Sequence, residues 1–309
     1  MENEQLLGIF TVISALFGCV TNWSVVLFFH KIPVLRSSFG FLSAHGALIT
    51  AAYCTIALFW ISPMMLLDAP FLEKYSHYPG FVLYLLYDLA TETHFLICLN
   101  RFCAVVLPHR YNSWFSFKST GILITILWTF CTLISLLVFP FSNCQMFYDT
   151  SITTLTYTNT PECQELTFIA DFGLHMLVVI VMIILNSITF YQFRRKNRVM
   201  LSTINHASSV RKSQSEKNFL RQTFYQETFY TVALITYFLL GPLLEQEWLR
   251  FLVILLPWYF VHAFEAMVTI MCNPELKKLC FRKWKLCFAT PESPVTEAWR
   301  STTTHVAKM

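Results

Sequence analysis

The sequence predicts an all-α membrane protein: a seven-transmembrane-helix bundle with its N-terminus extracellular and a short amphipathic eighth helix. Three observations carry this. Charged residues make up 13% of the chain against 55% hydrophobic, with a mean hydropathy of +0.53; soluble domains carry about twice that charged share. Seven apolar runs recur at 7–29, 38–63, 81–106, 120–141, 169–193, 223–244 and 248–271. Lysine and arginine are sorted by loop, 20 on one side of the runs and 2 on the other.

Each run reaches the ~20 residues a helix needs to cross ~30 Å of hydrocarbon. Only helices and closed barrels satisfy every backbone group in lipid, and continuous apolar runs lack the alternation of a barrel strand. The first run follows an extracellular segment, 1–6, that holds Glu2 and Glu4 but no base. That is the reverse of a signal-peptide n-region, so the run reads as a permanent helix. The basic turns at 30–37 and 107–119, the 194–222 loop and the C-terminal region fall on one side, which the positive-inside rule puts in the cytosol.

The second run contains His45 and no Asp. The third opens at Pro79-Gly80 and ends in LNRFCAVVLPHRY, residues 99–111. At 100° per residue Leu83, Tyr87, Ala90, His94 and Arg101 share one of its faces, and Asp88 and Glu92 point roughly the other way. The fourth run holds Trp128 and the fifth holds Asp171 and His175. Buried ionisable groups in lipid mark function by default; the plainer reading is a clasp in which Asp88 or Glu92 bonds to the fourth or fifth helix. Tyr84, Tyr87, Asp88, Asp171, His175 and Trp258 are therefore the candidate ligand contacts. The seventh run carries His262 and Glu265, with His45 as a partner to expect for Glu265.

Cys144 and Cys163 are the only cysteines in extracellular loops, and oxidising space favours a bridge between them. Residues 199–218 read either as extensions of the fifth and sixth helices or as a disordered loop. In 272–287, Leu276, Leu279, Cys280, Trp284 and Cys287 share a face while Lys277, Lys278, Arg282 and Lys285 lie elsewhere. That is a membrane-surface helix drawn to anionic lipid, with Cys280 or Cys287 as weak lipidation candidates. The composition of the 288–309 tail reads as disordered.

Other functions find no support. The cysteines inside the runs have no paired ligand spacing, and no phosphate loop, nucleophile elbow or HExxH is present. No cofactor, metal, enzymatic activity or nucleic-acid partner is expected.

Arg101 alone could simply snorkel to the interface. Its setting adds more: Asn100-Arg101-Phe102 is followed by Pro108 at seven residues from the arginine. This resembles the Asp-Arg-Tyr signature of rhodopsin-like G-protein-coupled receptors, with Asn100 in place of the acid and Phe102 in place of the tyrosine. The whole stretch is similar to the signature of nematode chemosensory serpentine receptors, class X. Asn22 with Val25, Trp128, Asn273-Pro274 and the CQMFYD…PEC loop extend the resemblance. Departures accompany it: no Asp in the second run, no Cys-Trp-x-Pro in the sixth (its Pro242 lies near the outer end), Lys277 where a tyrosine usually follows Asn273-Pro274, and no cysteine opening the third. They set the chain apart from amine and peptide hormone receptors.

The resemblance implies a chemosensory receptor of the plasma membrane, including a sensory cilium, that takes a small-molecule ligand and activates a heterotrimeric G protein. It makes Asn100, Arg101, Phe102, Pro108, Asn273 and Pro274 the switch residues. The alternatives are a transporter, which would show inverted repeats and broken helices, and a ligand-gated odorant channel, which would have its N-terminus inside. The charge distribution predicts that an N-terminal epitope tag is stained by antibody on intact cells; staining only after permeabilisation would reverse the topology.

Overall fold

A computed structural model describes residues 2–288 apart from 68, 140–141, 150–153, 204–206, 241–242, 245, 247–248, 250–251 and 254–255. It is a bundle of seven helices with an eighth across its inner end. The chain runs α1 (Glu2–Phe28), α2 (Ser38–Ile56), α3 (His77–Val106), α4 (Phe117–Val138), β1 (Met146–Asp149), β2 (Thr154–Tyr157), α5 (Leu174–Thr203), α6 (Ala207–Ile235), α7 (Leu256–Cys272) and α8 (Pro274–Phe288). Among the described residues, five helical stretches are long and apolar enough to cross a membrane. Their outer faces expose Ile122, Ile126, Leu133 and Leu137 on α4 and Leu177, Ile180 and Ile184 on α5, a surface that only lipid would cover without cost.

Local chemistry sets the helix starts. The Ser37 and Ser116 hydroxyls accept from the amides of Gly40 and Ser119 at the N-termini of α2 and α4, supplying orphan helix donors with an acceptor. Asn273 caps α8 through Oδ1, which accepts from Leu276 N at 3.1 Å, and Pro274 follows at the first helical position, where its missing N–H is not needed. π turns interrupt the outer halves at Ala57–Ile61 after α2, Phe168–Gly173 before α5 and Thr236–Leu240 after α6. Such bulges rotate the residues beyond them relative to the helix below.

Several elements depart from the expected bounds. Residues 2–6 are already helical; nothing in Glu-Asn-Glu-Gln breaks a helix, and acids suit its N-terminal turn. Pro79 and Gly80 lie within the first turns of α3. The 199–218 stretch is largely continuation of α5 and α6. The tail beyond 288 and Pro242 lie outside the described residues.

The loop after α4 folds as an antiparallel hairpin, with Met146 opposite Tyr157 and Asp149 opposite Thr154. It is tied down by the Cys144–Cys163 disulfide. The hairpin presses on α3 so closely that a Cβ at Gly80 would stand 2.1 Å from Met146 O; only glycine fits there. On the opposite side of the bundle α1 packs on α2 and α7. A Cβ at Gly18 would meet Cys54 Sγ at 2.4 Å and Ala263 Cα at 3.0 Å, the small-residue contact by which lipid-embedded helices approach. Asn22 locks that junction: Nδ2 donates to His262 O at 2.9 Å, and Oδ1 accepts from Thr50 Oγ1 at 2.6 Å.

Cys144→Ser with Cys163→Ser should lower the thermal stability of the purified protein by about 3 kcal/mol, the loop-entropy value for a loop of this size. Thiol trapping under non-reducing conditions should find neither loop cysteine free in the parent chain.

Candidate functional site

Polar and aromatic side chains gather at three levels inside the bundle. At the level of the hairpin is a pocket with an empty volume of about 540 Å3, its mouth included. Tyr53, Leu83, Tyr84, Tyr87, Met146, Leu155, Tyr157, Asp171, Tyr237 and Trp258 line it. Trp258 stands edge-on to Tyr87 at 5.0 Å between ring centroids, and Tyr84 packs on Phe139 at 4.9 Å. The hydroxyl of Tyr84 is buried with no hydrogen-bond partner among the described residues. Tyr157, delivered by β2, donates to Asp171 Oδ2 at 2.8 Å, and burial beside that carboxylate pushes its own phenol well above the ordinary range.

Of the candidate ligand contacts, Tyr84, Tyr87, Asp171 and Trp258 line this pocket, and Asp88 and His175 stand behind its wall. His175 is the joint. Its Nε2 lies 3.2 Å from Asp88 Oδ1, its Nδ1 lies 3.3 Å from Asp171 Oδ1, and its ring packs on Tyr87 at 4.6 Å. Ligand-contact and clasp readings thus meet in one cluster, with Asp171 facing the cavity and Asp88 fastening α3 to α5. Glu92 lines a smaller crevice of about 200 Å3 beside Asp88 and His175.

At mid-bundle, His94 Nε2 lies 3.5 Å from Glu265 Oε1. His45 is not the partner of Glu265. Its Nε2 accepts from Trp128 Nε1 at 2.9 Å, and its Nδ1 lies 3.2 Å from Thr93 Oγ1, because its side chain leaves α2 towards α3 and α4 rather than α7. Gln226 Nε2 donates to Glu265 O and to Thr269 Oγ1, each at 3.1 Å. Gln222 Nε2 donates to Thr269 Oγ1 at 3.0 Å and reaches Ser43 Oγ at 3.4 Å. Asn186 on α5 donates to Glu227 on α6. None of Gln222, Gln226 and Glu227 was singled out from sequence, although amides four apart at the head of an apolar run are a usable signal.

At the basic end Arg101 is 2% exposed. Its Nε and Nη2 donate to Asn100 Oδ1 at 3.1 and 2.5 Å, and Nη1 donates to Glu216 Oε2 at 3.0 Å. The guanidinium lies 4.2 Å above the Phe39 ring and 5.4 Å from that of Phe219, a cation–π seat. Asn100 Nδ2 donates to Ser38 Oγ at 3.1 Å, and Ser38 Oγ lies 2.8 Å from Tyr111 Oη. Tyr111 sits on the short helix Pro108–Trp114, which Pro108 opens. Phe102 is half-buried against the core. Tyr111 and Glu216, the remaining polar partners of the arginine, were not foreseen; Tyr111 closes the motif stretch itself.

Asn273 and Pro274 start α8. Trp284 of that helix donates to Ser24 Oγ at 3.0 Å. Cys280, a lipidation candidate, is fully buried against the bundle, and burial pushes its thiol up to about 11. Both oppose the thiolate that acylation needs. The Cys287 side chain lies outside the described residues.

A seven-helix bundle with an outer aromatic pocket and a latched arginine at its inner end has the architecture of a rhodopsin-like receptor. The crystal structure of squid rhodopsin superposes with a TM-score of 0.73 at 16% identity, covering 95% of this chain and 84% of that one. Residues 12–273 match the family profile described as Serpentine type 7TM GPCR chemoreceptor Srx, and the chain belongs to that family. Serpentine receptor class X 45 of Caenorhabditis elegans is 25% identical over 299 aligned positions, 89% of this chain and 81% of that protein.

Removing the imidazole at 175 leaves two buried carboxylates without the group between them. His175→Ala should cost roughly 3 kcal/mol of thermal stability. Adding Asp88→Asn should restore part of it. A purely additive double variant in thermal unfolding would refute the clasp.

Proposed function

We propose that the protein is a chemosensory receptor of the plasma membrane, including that of sensory cilia, which binds a small extracellular molecule and activates a heterotrimeric G protein. The latch at Arg101 carries this reading. Three of the arginine's anchors, Asn100, Tyr111 and the Phe39 ring, belong to α2, α3 and the short helix after α3. Glu216 belongs to α6 and is 29% exposed by side chain. The contact to α6 is therefore the one that opens most readily, because water can take over the partly exposed Glu216 carboxylate while the other anchors stay on the arginine. Outward movement of α6 frees the fork of the guanidinium for the backbone of a partner helix, a two-state element that a ligand at the other end can bias.

Supporting this are the family, the rhodopsin-like fold and a pocket at the end away from the basic loops. The basic residues of 194–198 and 211–221 offer a docking face for a G protein, and Lys277, Lys278, Arg282 and Lys285 offer one for anionic membrane lipid.

Basal nucleotide exchange on a co-expressed G protein tests the latch. Glu216→Gln should raise it by roughly fivefold, the factor that about 1 kcal/mol supplies. Asn100→Asp should lower it by adding a charge that holds the arginine. Arg101→Ala should abolish signalling with surface expression intact. If all three variants signal like the parent, the coupling assignment is wrong.

A further inference from the structure

We infer that the outer pocket takes a small organic cation, an ammonium group carried on a compact apolar body. This rests on the receptor reading of the pocket and deepens it by naming the ligand chemistry.

Two properties of the walls point there. The first is aromatic density: Tyr53, Tyr84, Tyr87, Tyr157, Tyr237 and Trp258 supply six of the ten lining residues. Ring faces carry negative potential and attract a cation within about 6 Å of their centroids. The second is the sign of the fixed charge. Among the described residues, Asp171 is the only ionisable lining residue apart from the tyrosines, and no Lys or Arg lines the pocket. It shares its imidazole with Asp88, so two carboxyl groups meet a single basic side chain. Asp171 is 3% exposed, and a buried carboxylate gains most from a counter-charge that arrives with the ligand.

A separate observation concerns the approach. The segments on the N-terminal side of the bundle, 1–6, 64–80, 142–168 and 241–250, hold nine Asp and Glu residues against Lys74 and Arg250. A net negative charge on that side of the chain favours the approach of cations over anions.

The test uses the purified full-length receptor in nanodiscs and reads thermal stabilisation, which needs no G protein. Choline is compared with its neutral carbon isostere, in which a tert-butyl group replaces trimethylammonium. The expected result is saturable stabilisation by choline, with the isostere about tenfold weaker. Asp171→Asn should erase the difference between the two. Because that variant also alters the His175 cluster, Tyr84→Leu serves as a second; it keeps the carboxylate, removes one ring and should weaken choline more than the isostere. Equal binding of the two compounds, preference for the neutral one, or no saturable effect of either overturns the inference. A receptor that binds choline but never drives nucleotide exchange would sink the signalling proposal and leave this one standing.

Discussion

Arg101 carries a charge that no environment in the protein can remove, and it is buried at the inner end of a bundle solvated by lipid. A guanidinium there is costly unless every donor is used. Asn100, Glu216 and Tyr111 accept four hydrogen bonds from its five N–H groups, and the Phe39 ring covers one face. Satisfying one side chain thus draws α2, α3, α6 and the helix after α3 to a single point. Asn100 is suited to this in a way an aspartate is not: its oxygen accepts from the arginine while its amide donates to Ser38. The neutral residue spreads the arginine's contacts over neighbours instead of matching them with an adjacent charge.

The same constraint organises the rest of the interior. With no water in the hydrocarbon, polar side chains turn inward and find each other. Asn22, Thr50 and His262 O join three helices on one side. His175 joins α3 to α5 on the other, and Gln222, Gln226 and Thr269 join α6 to α7. Between the outer pocket and Arg101 these groups form successive levels. Trp258 and Tyr87 touch Tyr230, Tyr230 packs on His94, and His94 meets Glu265 above the glutamines. Hydrogen bonds of this kind have discrete alternative partners, so shifts between helices occur in steps rather than as smooth deformation.

Much of this was legible in the sequence because lipid imposes coarse rules. Run length and loop charge give the spans and their orientation, and the two loop cysteines form the disulfide of the structure. The candidate site was legible in part. Tyr84, Tyr87, Asp171 and Trp258 were identifiable as polar or aromatic residues in the outer halves of apolar runs. Tyr53 and Tyr157 were not. Tyr53 lies in a run where aromatics are common, and Tyr157 reaches the pocket only because the loop folds as a hairpin held on Gly80. His45 shows the opposite failure: it is a buried histidine of the expected kind, but helical periodicity does not say which neighbour a side chain will face.

The sequence by itself determined that the chain crosses the membrane as a helical bundle, which way it faces, and that a permanent charge sits at the inner mouth. These follow from solvation, which acts on each segment separately. Only the tertiary structure decided the pairings: His175 between two carboxylates, His94 with Glu265, Tyr111 and Glu216 on the arginine, and Cys280 sealed inside. Those depend on helix rotation and on the π turns that reset it, and rotation is settled by packing between segments far apart in the chain.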